Sequence, residues 1–336
     1  MYETMIRKLF FEVPLKGYFK LDGYGLVRNK FNRNMGYIID GLLRLADVSV
    51  YDEGGASRTV KTSYGYLPAY YYIGYNAGIA LFSHFGTGQA TPTVTDNNLA
   101  SADIYVPTNY IDVSELADRT QLLIAGVWSP DVNKNYYEAG LKWMIDFYSN
   151  FVCLLARTIF PSALLRVAFT QYFDGYVLEF QSQFTRWFVR ALSLFISGLE
   201  LRQTRGRVAK DTSGNLFVIR SPRAFAGSPD VMIGSDNTPQ SPDDYKLKSP
   251  ITSLDSQNQT VEVDTVNQEV RIIRTGSITP SSNITLGEIG LFCNLAGFRD
   301  GSSVTPKVMI ARVALTSPIT LYAGTTYTLG IVLKLT

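Results

Sequence analysis

Two stretches of this chain, 148 positions apart, carry the same residues in the same order. Gly86, Asp96, Leu99 and Ser101 repeat as Gly234, Asp244, Leu247 and Ser249. Further on, Gly126, Pro130, Glu138, Gly140 and Leu141 match Gly276, Pro280, Glu288, Gly290 and Leu291, now at a shift of 150. Ala156-Arg157 and Val177-Leu178 then match Ala311-Arg312 and Val332-Leu333 at 155. A shift that only grows, in two small steps, is what loops lengthening between fixed elements produce. One supersecondary unit is therefore written twice. The length of 336 residues leaves room for two ordinary domains, each able to bury a core without metal or disulfide. The expected division is an arm over 1–30, a first unit over 31–181 and a second over 182–336.

Each unit opens with a helical pattern. Ile38, Ile39, Leu42, Leu43 and Leu45 follow Asn32 and Asn34 in the first; Trp187, Phe188, Ala191, Leu192, Phe195, Ile196 and Leu199 play that part in the second. One apolar face per helix assigns each to packing on its own unit's sheet, with a membrane-surface or partner-binding face as the alternative. Beyond the helix the period drops to two and turn residues multiply. Asp211-Thr-Ser-Gly-Asn215 reads as a hairpin turn between 207–210 and 216–220, and Thr265-Val-Asn-Gln268 as another between 260–264 and 269–274. Further strands are expected over 284–292, 307–315 and 327–335, with counterparts near 70–75, 78–82, 121–127 and 172–180. The predicted fold class is mainly β: two tandem similar antiparallel β-sandwich (jelly-roll-like) domains, each preceded by an amphipathic helix. Abundant aromatics, 21 Tyr and 19 Phe, suit strands and large polar–apolar interfaces.

Residues that carry chemistry are scarce. A net charge of +2 supports neither nucleic-acid nor membrane binding. No secretory leader follows Arg7-Lys8, and no segment reaches the roughly 20 apolar residues of a membrane helix. Cys153 and Cys293 both lie in apolar runs and read as small buried hydrophobes. The lone histidine, His84, has Met232 at the matching place and reads as packed or solvent-facing, since one His makes neither a metal cluster nor a triad. Gly86-Thr-Gly88 lacks the Gly-Lys-Ser/Thr of a phosphate cradle. Asp131-Val-Asn-Lys-Asn135 begins like a calcium loop, but Tyr136 stands where glycine is needed and Lys142 where the last ligand belongs. No catalytic, cofactor or metal residue is assigned.

The duplicated charges are Glu138 and Glu288, Arg157 and Arg312. A paired acid would serve acid–base chemistry; the plainer account is an ion pair between neighbouring strands that holds their register. Arg202, Arg205, Arg207 and Lys210 make a small basic patch, either a contact for an acidic neighbour or a guarded strand edge. Asn258-Gln-Thr260 and Asn283-Ile-Thr285 fit the glycosylation sequon.

With these residues in place, the chain resembles virion structural proteins of phages and archaeal viruses, of the tail-fibre, baseplate and vertex type. The resemblance rests on Gly86-Thr-Gly88, Pro92, Asp96, Leu99, Glu138-Ala-Gly-Leu141 and Arg157. Glu288-Ile-Gly-Leu291, Arg312 and the closing Thr326–Leu335 region carry it in the second unit. The second unit departs from it with Gly234-Ser-Asp236 in place of Gly-x-Gly. The resemblance implies a non-enzymatic virion component that assembles with itself and with other virion proteins. A double jelly-roll capsid protein and a glycan-binding β-sandwich are the alternatives.

Overall fold

Successive residues of a strand turn to opposite faces of its sheet. In Arg119–Trp128, for example, Thr120, Leu122 and Ile124 are buried while Gln121 and Leu123 between them are half-buried. The computed structural model describes residues 7–60, 81–108, 110–146, 151–197, 207–220 and 225–336, which form mainly antiparallel sheets with two short helices.

The chain opens with β1 (Arg7–Leu21), β2 (Gly25–Arg28) and β3 (Lys30–Phe31), then helix α1 (Arg33–Arg44) and the hairpin β4 (Val48–Tyr51) and β5 (Ser57–Val60). It continues with β6 (Leu81–Gly86), β7 (Ala102–Pro107), β8 (Tyr110–Glu115) and β9 (Arg119–Trp128). Next come β10 (Lys134–Asp146), β11 (Phe151–Arg166) and β12 (Tyr172–Gln181). Helix α2 (Arg186–Ser197) leads into the hairpin β13 (Val208–Lys210) and β14 (Leu216–Ile219), then β15 (Phe225–Gly234) and β16 (Pro250–Ser253). A second hairpin joins β17 (Asp255–Asp264) to β18 (Glu269–Ile278). The last strands are β19 (Ile284–Leu295), β20 (Gly297–Arg299), β21 (Ser302–Val304), β22 (Lys307–Leu321) and β23 (Tyr327–Leu335).

The two halves pair their antiparallel strands in the same order. Strands β7-β6-β10-β11 are neighbours in the first, and β16-β15-β19-β22 in the second. Glu138 faces Gly86, and Gly140 faces Arg157; Glu288 faces Gly234, and Gly290 faces Arg312. Strands β8-β9-β12 likewise correspond to β17-β18-β23. In the first half the two sheets meet through Phe85 of β6, stacked on Trp128 of β9 with ring centroids 5.5 Å apart.

Residues 7–21 are no peripheral arm. Arg7–Leu15 run parallel to β23, and Leu15–Lys20 run antiparallel to β12. One eight-stranded sheet, β17-β18-β23-β1-β12-β9-β8 with β2 beside β1, therefore spans both halves. The helices cross between halves as well, which corrects the expectation that each packs on its own sheet alone. Helix α1 lies on β4 and β11 but also on β15, β17 and β18, where Gln259 Nε2 donates to Asp40 Oδ1 at 2.8 Å. Helix α2 lies on β13 and β22 and on β8 and β9, where Arg190 Nε reaches Glu115 at 2.5 Å. Met35, Ile38, Ile39, Leu42 and Leu43 are all buried, and the helix that carries this stripe touches strands of four sheets. Among the described residues no helix is long and apolar enough to cross a membrane.

The loop before the last strand of each half is tied by the same bonds. Phe169 N–H donates to the Pro130 carbonyl and Gly324 N–H to that of Pro280, both at 2.8 Å. Ala168 and Ala323 donate to the Asn133 and Asn283 side chains. Both turn residues are left-handed, with φ of 59° at Phe169 and 75° at Gly324. Glycine adopts this conformation freely, while a side chain costs about 1 kcal/mol there. Phe169 is 83 % exposed, so little burial offsets the strain. Phe169→Gly is expected to stabilise the fold by roughly 0.5–1 kcal/mol, read as a higher denaturant midpoint. A lower midpoint would show that the ring packs on the loop.

Candidate functional site

The residues that recur in sequence converge into one buried cluster per half. Glu138 comes from β10 and Arg157 from β11, neighbours in one sheet, and both side chains are buried. Arg157 Nη2 donates to Glu138 Oε2 at 2.7 Å, its Nε to the same oxygen at 3.0 Å, and its Nη1 to Asp96 Oδ2 at 2.7 Å. In the second half Arg312 Nε donates to Glu288 Oε2 at 2.6 Å, and Nη1 to Asp244 Oδ2 at 3.1 Å. Charged groups out of water persist when their remaining lone pairs and protons are met, and here the surrounding loops meet them.

Those loops are residues 87–101 between β6 and β7, and 235–249 between β15 and β16. Glu138 accepts backbone N–H bonds from Gly88, Ala100 and Ser101 at 2.7–3.0 Å. Glu288 accepts from Lys248 at 3.1 Å and Ser249 at 2.8 Å. Asp96 and Asp244 also close their own turns, accepting from Thr93 and Ser241 N–H at 3.0 Å each. The matched glycine follows from this close approach: a Cβ on Gly86 would sit 2.7 Å from Glu138 Oε1, and one on Gly234 2.4 Å from Glu288 Oε1. The arginine and carboxylates thus clamp a long loop against two strands, and each acid is surrounded by donors.

One place breaks the correspondence. In the second half Leu247, Phe292 and Met309 pack together with Met232 against them. In the first half the positions of Met232 and Phe292 are taken by His84 and Lys142. Lys142 is fully buried, donates to Asn98 Oδ1 at 2.6 Å and pairs with Glu53. Burial lowers its pKa, and Glu53 partly restores it. The His84 imidazole is pushed down to about 4, by burial first and by the Lys142 charge second; Glu53, Asp103 and Glu138 act against this. Its Nδ1 is buried and has no hydrogen-bond partner among the described residues.

A third cluster has no counterpart. Asp174 of β12 is buried and accepts from Arg166 at 2.6 and 3.1 Å, from Trp128 Nε1 at 2.8 Å and from Asp22 N–H at 2.8 Å. It ties the turn after β1 to β9, β11 and β12. Burial raises the Asp174 pKa, against the pull of Arg166.

Of the basic patch, Arg207 and Lys210 lie within the described residues. Arg202 and Arg205 lie outside the described residues, as does most of the 70–82 strand region. Arg207 is half-buried in a recess with Val113, Glu115 and Arg190, and burial lowers its pKa. Lys210 sits over the Tyr245 ring, 4.3 Å from its centroid. Cys153 and Cys293 are buried and unbonded, with burial raising both thiols. Among the described residues no group of three His, Cys, Asp or Glu side chains is placed to hold a metal ion. Compared with protein-family models, curated proteins and solved structures, the chain gives no match.

Proposed function

We propose that this chain is a structural component of a virus particle that works by fitting against neighbouring subunits. In this reading it is two copies of one helix-plus-sandwich unit, 31–181 and 182–336, joined by its first strand. The observation that carries it is how the repeated charges are spent. Both copies of the Glu–Arg–Asp cluster face inward and are saturated by loop N–H groups, which suits a clamp and leaves no acid free to move a proton. A chain that uses its polar residues to stiffen long loops is suited to tail, baseplate or vertex assembly with itself and other virion proteins. No catalytic residue is assigned.

A glycan-binding reading has one observation on its side. A recess of about 720 Å³ beside the β1–β2 turn is lined by Tyr24 and Phe173, with Lys20, Asp112 and Gln121 at hand. Stacking rings among polar groups suit sugars. Mass measurement and electron-microscope images of the purified chain test both readings. Rings, fibres or clusters of fixed copy number are expected. A pseudo-hexagonal trimer moves the chain to the shell as a double jelly-roll capsid protein. A monomer at every attainable concentration overturns assembly, and saturable binding of cell-surface polysaccharide by that monomer favours the recess.

A further inference from the structure

Strand β1 leaves half of one edge open. Arg7 N–H donates to the Thr326 carbonyl at 3.3 Å and the Leu15 carbonyl accepts from Thr336 N–H at 3.0 Å. In a parallel ladder, alternate residues turn their backbone groups to the partner, so the odd-numbered residues from 7 to 15 face β23. The even-numbered residues face the other way. From Lys16 onward β12 lies on that side, but its pairing stops at Phe180 opposite Leu15. Among the described residues no strand pairs with the outer backbone groups of Lys8, Phe10 and Glu12. A free edge of this kind is a template for another strand.

The side chains along it are complementary to themselves. Lys8, Phe10 and Glu12 share the exposed face, with Phe10 47 % exposed, while Leu9 and Phe11 on the opposite face are half-buried. An antiparallel pairing centred on Phe10 sets Lys8 of one copy opposite Glu12 of the other, twice by symmetry. Phe10 then meets Phe10, and beneath them Leu9 meets Phe11. All three even positions become hydrogen-bonded pairs, about six backbone bonds in all. Moving the register by one pair sets Lys8 or Glu12 against Phe10; moving it by two sets like charges together. Among the described residues Glu12 otherwise pairs with Lys334, at 3.5 Å. Pro14, which has no N–H to offer, closes the ladder where β12 begins.

We propose that Arg7–Val13 is a dimer edge, at which two copies of this chain join β1 to β1 and continue one sheet across both. Lysine and proline also guard the edges of monomeric proteins; a guard, however, needs no opposite charge four residues away on the same face. The inference rests on the assembly reading and names the surface used.

Sedimentation velocity on the purified chain tests it with Lys8→Glu, Glu12→Lys and the double charge swap. The wild-type chain should form dimers or assemblies of even copy number. Each single variant places like charges at both cross-strand positions and should weaken this association by about tenfold or more. The double swap restores opposite charges and should restore the wild-type mass, which also shows that the exchanged residues leave folding intact. Singles that assemble like wild type overturn the β1 edge while leaving assembly standing. A wild-type chain that stays monomeric overturns both.

Discussion

Glu288→Ala is expected to remove about 3–5 kcal/mol of stability, most of what a domain of this size has in hand. The carboxylate has no solvent exposure and holds Arg312, which has none either, at 2.6 Å. Without it the guanidinium keeps Asp244 at 3.1 Å, Asp236 at 3.3 Å and the Pro239 carbonyl at 3.5 Å. The Lys248 and Ser249 N–H groups lose their acceptor as well. An uncompensated buried charge and unpaired buried donors are among the few defects that cost this much. Glu138→Ala should behave alike, because Arg157 and three loop N–H groups depend on it. Chemical denaturation measures both. Pairing Glu288→Ala with Arg312→Met should cost less than the sum of the singles, since no buried guanidinium is left uncompensated and Asp244 keeps Lys248 at 2.8 Å. A Glu288→Ala midpoint close to wild type would mean that the clamp does not hold the loop.

The second large effect is a loss of stability in mild acid that runs through one residue. Free histidine titrates near 6.5 and His84 near 4. Between those values the unfolded chain takes up a proton that the folded chain refuses. The stability His84 contributes is thus whole above pH 6.5 and drains as pH falls toward 4. Allowing for the water that still reaches the ring, the loss is about 1–2 kcal/mol. His84→Met, the residue the second half uses, should flatten melting temperature across this window and leave the carboxylate limb below it. An unchanged slope would put the proton uptake elsewhere.

What could be read from the residues alone was the local and the repeated. The Asp211–Asn215 and Thr265–Gln268 turns announce their hairpins because turn geometry needs few residues and all are adjacent. Glu138, Arg157, Glu288 and Arg312 stood out because each appears twice at matching distance. Asp96 and Asp244 carried the same signal, yet their place as third members of the clusters depends on how the loop folds back. Pairings that occur once leave no such trace. Nothing local tells that Asp174 meets Arg166, that Glu115 meets Arg190 across the halves, or that β1 lies between β23 and β12. The helices misled for a related reason: an apolar stripe reports that a face is buried without saying what buries it.

The parallel pairing of β1 with β23 joins residues 320 positions apart in the chain. At the usual pace of translation, tens of seconds separate the emergence of Arg7 from that of Leu335. Throughout synthesis Leu9, Phe11 and Val13 therefore have no native neighbour on the side β23 will occupy. Emergence of β23, rather than of the first half, is what lets the large sheet close.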